Sequence, residues 1–198
     1  TSTVTLTGGT ISASSGRTQT LAALNISTNV VAPSVSGFNV TGTTSITSGT
    51  AELNSGQTFT TNALSISNNS TLRFVGNNTT GTFSTINIGA GGLNLSGSRI
   101  QFGNAGSTGT SQLNVGGNVA TSGTSLFTVS NTLGPRVIDL QAGSRSFTVN
   151  DGSLDIRPTV QNGTLVKSGS GTLILSHAGS TADFSFTDGP VQITAQAT

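Results

Sequence analysis

Short runs in which apolar and polar residues alternate constrain the fold of this chain more than any other feature. The runs are Val4-Thr5-Leu6, Leu24-Asn25-Ile26, Leu64-Ser65-Ile66, Ile86-Asn87-Ile88, Leu93-Asn94-Leu95 and Leu113-Asn114-Val115. A period of two places the apolar side chains on one face of a β-strand, and no window of helical length shows the spacing of an amphipathic helix. Clusters of Gly, Asn and Ser between the runs are typical of tight corners. The chain is therefore predicted to be all β.

The spacing between comparable runs predicts how the strands are arranged. Opening apolar residues of successive segments lie 18 to 27 residues apart, and they are Leu24, Ile46, Leu64, Ile86, Leu113, Ile138 and Leu165. A recurrence of this length is typical of a solenoid built from stacked coils. We therefore predict a right-handed parallel β-helix of roughly eight coils. It forms a single domain over residues 1–198, with residues 1–7 as an exposed terminal strand.

The composition favours this solenoid over a β-sandwich. Thr, Ser, Gly and Asn make up 108 of the 198 residues, and only 7% are charged. On the outside of a β-helix, Thr and Asn can form hydrogen-bonded ladders between rungs about 4.8 Å apart, where stacked like charges would repel one another. A sandwich core usually contains Tyr and Trp, and this chain has neither. The core is expected to consist of Val, Ile, Leu and Phe.

Charge and cysteine content exclude several classes of function. A formal net charge of +1 lacks the basic patch that a nucleic-acid partner requires. No stretch approaches the roughly 18 consecutive apolar residues of a membrane-spanning segment. The absence of Cys excludes disulfides and thiolate metal sites, and we expect no metal and no cofactor. Because the sequence opens with Thr1 and shows no signal-peptide pattern, we expect a mature or excised segment whose signal peptide has been removed.

The segment 163–176 carries the most specific motif. It reads GTLVKSGSGTLILS and resembles the autotransporter-associated β-strand repeat, Leu-x-Lys-x-Gly-x-Gly-x-Leu-x-Leu. The matching residues are Leu165, Lys167, Gly169, Gly171, Leu173 and Leu175. Residues 177–186 depart from the Gly, Asn and aromatic residues that usually follow. The resemblance implies a parallel β-helix exported to a bacterial surface, without catalytic residues. The chain is then either a fragment of a longer passenger or a solenoid used on its own.

Two groups of residues could suggest catalysis. His177, the only histidine, lies beside Ser176 and upstream of Asp183, but no nucleophile-elbow sequence surrounds the serine. A corner histidine is the simpler interpretation. Among the acidic residues, Asp151 and Asp155 would share a face of a continuous strand, with Arg157 on that face and Asp139 one coil earlier. Such acidic clusters serve β-helix polysaccharide lyases, yet Asn150-Asp151-Gly152 is a strong turn signal that would separate the two carboxylates.

The two ends of the solenoid are the predicted functional surfaces. Uncapped edge strands recruit other chains, and no capping helix or charged cap is visible at either end. We therefore expect a non-enzymatic extracellular structural protein whose main partner is itself, joined end to end into a filament or layer on a bacterial surface, with a host or glycan surface as a further partner. The predicted self-assembly residues are Thr3, Val4, Thr5, Leu6, Thr7, Val191, Gln192, Ile193, Thr194 and Ala195. An adhesin passenger fragment that binds a host or glycan surface is the first alternative, and a polysaccharide-lyase-like enzyme is the second.

Overall fold

The computed structural model describes residues 1–8, 11, 17–27, 34–75, 82–103, 108–130, 133–177 and 179–194. Regular structure within these ranges consists of β-strands alone. The strands are β1 (Thr3–Leu6), β2 (Gln19–Leu21), β3 (Ala23–Ser27), β4 (Phe38–Ser48), β5 (Thr50–Leu53), β6 (Thr58–Ser67), β7 (Thr71–Phe74), β8 (Phe83–Ser96), β9 (Arg99–Phe102), β10 (Thr110–Val115), β11 (Val119–Ser122), β12 (Thr124–Val129), β13 (Arg136–Val149), β14 (Ser153–Ile156), β15 (Thr159–Ser168), β16 (Thr172–Leu175), β17 (Asp183–Phe186) and β18 (Val191–Ile193).

The strands form two sheets in which neighbours pair in parallel. The larger sheet has 11 strands and runs from β1 to β17, while the smaller has 7 strands and runs from β5 to β18. Most strands pair with one counterpart about one coil earlier and with another about one coil later in the chain, which is the topology of a parallel β-helix. The all-β prediction and the β-helix prediction are therefore confirmed. The number of coils and their handedness stay predictions.

Three strand segments make up each repeating unit. The long strand β8 pairs through its first half with β10 and through its second half with β11, so that it consists of two segments joined at a corner. Register shifts in β4, β6 and β13 mark the same corner. The short strands of the smaller sheet supply the third segment. We call them the first, second and third segments in chain order.

The register explains why the predicted recurrence was uneven. Ile86 pairs with Leu113 and Leu113 with Ile138, all on first segments, as the spacing predicted. Leu64, however, pairs with Leu93 on a second segment. The series of predicted anchors therefore changed from one segment to another along the chain. The true offset is 20 residues between Val4 and Leu24 and reaches 29 between Leu64 and Leu93.

A single inward row runs through the second segments from one end of the solenoid to the other. Its members, paired in register, are Val4, Leu24, Thr44, Leu64, Leu93, Val119, Phe147, Lys167 and Phe186. We refer to it as the Val4–Phe186 row. Five phenylalanines of the core are fully buried, and the rings of Phe74 and Phe102 stack with centroids 5.1 Å apart. The core contains the residue types that the composition predicted.

Outward-facing amides form the predicted ladders. Asn114 donates from Nδ2 to Oδ1 of Asn87 at 2.7 Å, and Asn87 donates to Oγ1 of Thr60 at 3.3 Å, so that three successive coils are linked. In the third segments, Arg73 forms an ion pair with Glu52 of the preceding coil. Side chains of successive coils therefore satisfy one another's hydrogen-bonding groups along the solenoid axis, and few of these side chains are charged, as the charge-poor composition indicated.

The motif at 163–176 corresponds to one corner and the strands on either side of it. Leu165 and Lys167 face inward from β15, and Leu173 faces inward from β16. Gly169 lies between them with φ of 79°, a conformation that favours glycine. A Cβ atom on Gly169 would lie 2.5 Å from the carbonyl oxygen of Val149 on the preceding coil. The motif therefore encodes a sharp corner that packs directly on the backbone beneath it.

Replacing Gly169 by alanine is expected to lower the free energy of unfolding by roughly 1–3 kcal/mol, the cost of a non-glycine residue in strained backbone, because the left-handed conformation and the contact with Val149 both oppose a Cβ. Urea unfolding followed by circular dichroism measures the change. Gly8→Ala is the matched control, since nothing lies within 4 Å of a Cβ built at Gly8. Equal stabilities of the two variants would contradict this account of the corner.

Candidate assembly surfaces at the ends of the solenoid

The first predicted surface lies on β1. Thr3 and Thr5 are exposed, whereas Val4 and Leu6 are half-buried and pack against the core. Within the described residues β1 pairs only with β3, so that no described strand covers the backbone N–H and C=O groups of its other edge. Thr7 is exposed in a bend after the strand. Residues 3–6 thus form an edge strand with an alternating face, and Thr7 follows it directly.

The second predicted surface lies on β18 at the opposite end. Gln192 is exposed, Val191 is half-buried, and Ile193 is 74% exposed, the most exposed large apolar side chain described. Thr194 donates from its backbone N–H to the carbonyl of Leu175 at 3.0 Å and from Oγ1 to Ser176 Oγ at 3.1 Å. Ala195 lies outside the described residues. β18 pairs only with β16 among the described strands and so also has an open edge.

A further strand, β17, lies at this same end and was missed by the sequence interpretation. It pairs with β15, and its two apolar residues are Phe184, half-buried, and Phe186, 47% exposed. Their rings lie 6.3 Å apart. The alternation Asp183-Phe184-Ser185-Phe186 is the signal that could have identified the strand. The exposed apolar surface of this end therefore comes from Phe186 and Ile193 together.

The topology decides which strands could meet if two solenoids stacked end to end. β1 and β17 are the opposite edges of the larger sheet, whereas β18 is an edge of the smaller sheet. Val4 and Phe186 are also the two ends of the same inward row. Continuation of the sheet from one copy to the next would therefore pair β17 with β1 and place Phe186 over Val4.

Lys167 forms hydrogen bonds that connect the last described coil to the coil before it. Its side chain is fully buried in the Val4–Phe186 row, and its ammonium group donates to the carbonyls of Ser168 at 3.0 Å, Gly169 at 2.6 Å and Asp188 at 2.9 Å. Burial lowers the pKa of Lys167, and the charge of Asp188 opposes that shift. The ammonium group thus ties the corner of one coil to the corner of the next.

The acidic residues considered for catalysis are held apart. Asp151 lies in a bend, where Gly152 has φ of 63°, and its carboxylate accepts from the backbone N–H of Gly123. Asp155 belongs to the smaller sheet and accepts from Arg157 Nε at 2.8 Å and Ser176 Oγ at 2.7 Å. The turn signal at residues 150–152 is therefore confirmed, and the two carboxylates do not share a strand.

Asp139 is engaged by amide groups in the larger sheet. Its carboxylate accepts from the backbone N–H of Gln141 at 2.8 Å and from the side chains of Gln141, Gln161 and Asn162 at 2.9–3.2 Å. Burial acts to raise the pKa of Asp139, but these hydrogen bonds together outweigh burial and lower the pKa. Such a carboxylate stabilises a corner and stays ionised.

His177 lies at a corner, as the simpler interpretation predicted. Its imidazole is exposed, and Nδ1 lies 3.4 Å from Thr159 Oγ1. Ser176 directs its hydroxyl to Asp155 rather than to His177. The described residues therefore place no nucleophile–base pair at this position.

A shallow groove of about 370 Å³ runs along the second segments near the middle of the solenoid. Its floor is the outward row of Ser65, Asn94, Ala120 and Thr148, which follow one another in register on successive coils. Gly91 and Asn118 lie at its border. No charged side chain lines it.

The described part of the chain contains neither a cluster of metal ligands nor a membrane-spanning helix. No three His, Asp or Glu side chains lie close enough together to hold a metal ion. None of the described segments forms a helix able to cross a bilayer. Comparison with protein-family models gives no match for this sequence, and comparisons with curated proteins and with solved structures likewise give none.

Proposed function

We propose that this chain is a non-enzymatic structural rod of the bacterial cell surface, whose copies join end to end into a filament or layer. The observation that carries the proposal is the Val4–Phe186 row, which spans the solenoid and reaches an open strand edge at each end of the described chain. An open edge of this kind is completed by one more parallel strand. A second copy supplies that strand through β1.

The geometry of the two edges supports an open assembly. The face at β17 and β18 and the face at β1 are different surfaces, so that contact between them is heterologous, and a heterologous contact that does not close a ring propagates as a filament. The exposed Phe186 side chain would extend the inward row onto Val4 of the next copy. Backbone hydrogen bonds between β17 and β1 would supply affinity, as in other cases of strand addition.

The cell-surface location is supported by the sequence alone. The motif at 163–176 resembles the autotransporter-associated repeat. The low charge suits a rod in which equivalent side chains of successive coils lie next to one another. In the structure the motif residues Lys167 and Gly169 form an internal corner. Their role in this proposal is to hold the terminal coil in the conformation that presents Phe186.

Electron microscopy of the purified protein over a range of concentrations tests the proposal. We expect filaments whose long axis follows the solenoid axis, and sedimentation velocity should show species that grow with concentration. Isolated monomers at high concentration by both methods would overturn the proposed assembly.

A second candidate function is adhesion through the side of the rod, and the groove over Ser65, Asn94, Ala120 and Thr148 is the observation that favours it. Its small, uncharged, hydrogen-bonding lining suits a neutral glycan lying along the axis. Retention of the protein on immobilised neutral polysaccharides, eluted by the free glycan, would support this function. Passage through every such column would exclude it.

A further inference from the structure

The corner between the first and second segments of β15 contains the only Asn-Gly pair of the sequence, Asn162-Gly163. Asn162 is exposed, and its φ of 58° lies in the left-handed region. In an Asn-Gly pair the backbone nitrogen of the glycine attacks the side-chain amide carbon of the asparagine with the least steric hindrance, because glycine has no Cβ. This corner therefore has the sequence and the exposure of a site of spontaneous deamidation.

Contacts with the preceding coil hold this corner in place. The Asn162 side chain donates from Nδ2 to Asp139 Oδ1 at 2.9 Å, and the Gln161 side chain donates to Asp139 Oδ2 at 3.2 Å. Gly163 pairs with Gly143 of the same coil, and a Cβ atom on Gly163 would lie 2.3 Å from the Gly143 carbonyl oxygen. The amide that would react and the residue whose nitrogen would attack it are therefore both fixed against one coil.

We propose that Asn162 is a site of spontaneous deamidation, and that its hydrogen bond to Asp139 keeps the reaction slow while the two coils are stacked. In this reaction the Gly163 nitrogen forms a bond to Asn162 Cγ, and the bond from Cγ to Nδ2 breaks. The proton of the Gly163 N–H leaves with the side-chain amide as ammonia. Water then opens the cyclic imide at either carbonyl, which gives aspartate or isoaspartate at position 162, so that solvent water is the only co-reactant.

The charge of Asp139 turns this modification into a one-way release of the corner. Asn162 Nδ2 is a donor, whereas an ionised carboxylate in its place only accepts hydrogen bonds. Asp139 stays ionised, because its hydrogen bonds lower its pKa, so two negative charges would face each other within hydrogen-bond distance. An isoaspartate also adds one carbon to the backbone of the corner. Deamidation is therefore expected to weaken the contact between β13 and β15.

Incubation of the folded protein at mildly alkaline pH in water enriched in a heavy oxygen isotope, followed by peptide mass spectrometry, measures the rate at Asn162. We expect slow labelling of the folded, unmodified chain and faster labelling of the chain unfolded in urea. Asp139→Ala should react about tenfold faster or more, the factor that corresponds to one hydrogen bond to a charged group. Asp139→Asn keeps the side-chain shape and should raise the rate by a smaller factor, because a neutral acceptor binds the amide less tightly. Circular dichroism establishes that each variant is folded.

Asp151→Ala is the matched control for the rate measurement. Asp151 also holds a corner through its carboxylate, which accepts from the Gly123 N–H, but that corner lies between second and third segments. The rate at Asn162 in this variant should equal that of the unmodified chain. A folded Asp139 variant of either kind that deamidates no faster than the unmodified chain would overturn the proposal, as would the absence of labelling at Asn162 in the urea-unfolded chain.

Urea unfolding measures the release of the corner itself. Asn162→Asp is expected to lower the urea midpoint at neutral pH, because it places a second carboxylate against Asp139. Combining it with Asp139→Asn should recover most of the loss, since the exchange restores one donor and one acceptor. A midpoint of Asn162→Asp equal to that of the unmodified chain would contradict the expected weakening of the contact between the two coils.

Discussion

Phe186→Asp is expected to keep the protein monomeric at concentrations where the unmodified chain forms filaments. The Phe186 ring is the last member of the inward row and would be covered by the next copy. A carboxylate at that position must lose its hydration before a second solenoid can pack on it. That cost is several kcal/mol, so that the concentration needed for assembly should rise about 100-fold or more. Sedimentation velocity and electron microscopy measure the change.

Phe83→Asp is the matched control for this result. Phe83 is 60% exposed but begins β8 in the interior of the solenoid, away from both ends. The same substitution there should leave assembly unchanged. Circular dichroism of all variants establishes that the fold is kept.

Mixing two blocked variants tests the head-to-tail geometry itself. Val4→Asp blocks the β1 edge and leaves the β17 edge intact, whereas Phe186→Asp does the reverse. Each variant alone should be monomeric, and an equimolar mixture should form dimers that cannot grow. A symmetric contact between identical faces would give no recovery on mixing. Filament formation by either variant alone would contradict the proposed contact between β17 and β1.

Lys167→Met is expected to destabilise the protein by about 3 kcal/mol, because it leaves three backbone carbonyls of two adjoining corners without their charged donor. Urea unfolding at pH 7 measures the loss. Leu165→Met is the matched control, since Leu165 is a fully buried neighbour on the same strand and the substitution tests volume alone. A Lys167→Met protein as stable as the Leu165→Met protein would show that the ammonium group does not hold the corner.

The pH dependence of the unmodified chain provides an independent check. Burial lowers the pKa of Lys167 in the folded protein, so the unfolded chain binds this proton more tightly. The free energy of unfolding should therefore rise as the pH increases from the lowered pKa to the unfolded value of 10.5. Lys167 is the only lysine, and Tyr and Cys are absent, so no second lysine and no phenol or thiol contributes to this rise. The rise should disappear in Lys167→Met.

Local pattern was enough to predict the class of fold. Alternation with a period of two identified most inward positions correctly, and small residues marked the corners, because both signals depend on neighbours in the sequence. The pairing register of the strands was harder to predict from the sequence. Leu64 and Ile86 look equivalent in the sequence, yet they belong to a second and a first segment, and only the lengths of the intervening corners decide which coil receives each.

The positions of the candidate surfaces could be predicted from the sequence, but the strands that would meet there could not. Residues 3–7 and 191–194 lie on edges, as terminal position indicates, but the pairing of β1 with the opposite edge β17 depends on sheet membership. A small pocket lined by Arg136, Arg157 and His177 could not be predicted, because these residues are about 20 positions apart in the sequence and meet only when three coils stack. Lys167 was recognised as part of a motif, while its inward orientation toward the carbonyls of two corners required the structure.

The unequal coil lengths affect how such a rod would respond to tension. Hydrogen bonds between coils lie along the axis, so a pull on the two ends would separate coils one after another instead of shearing them together. A coil near the start releases 20 residues and one near the middle up to 29. At about 3.5 Å per extended residue, these numbers of residues correspond to roughly 7 and 10 nm of released contour length. A filament built this way would yield in graded steps and lengthen before it broke.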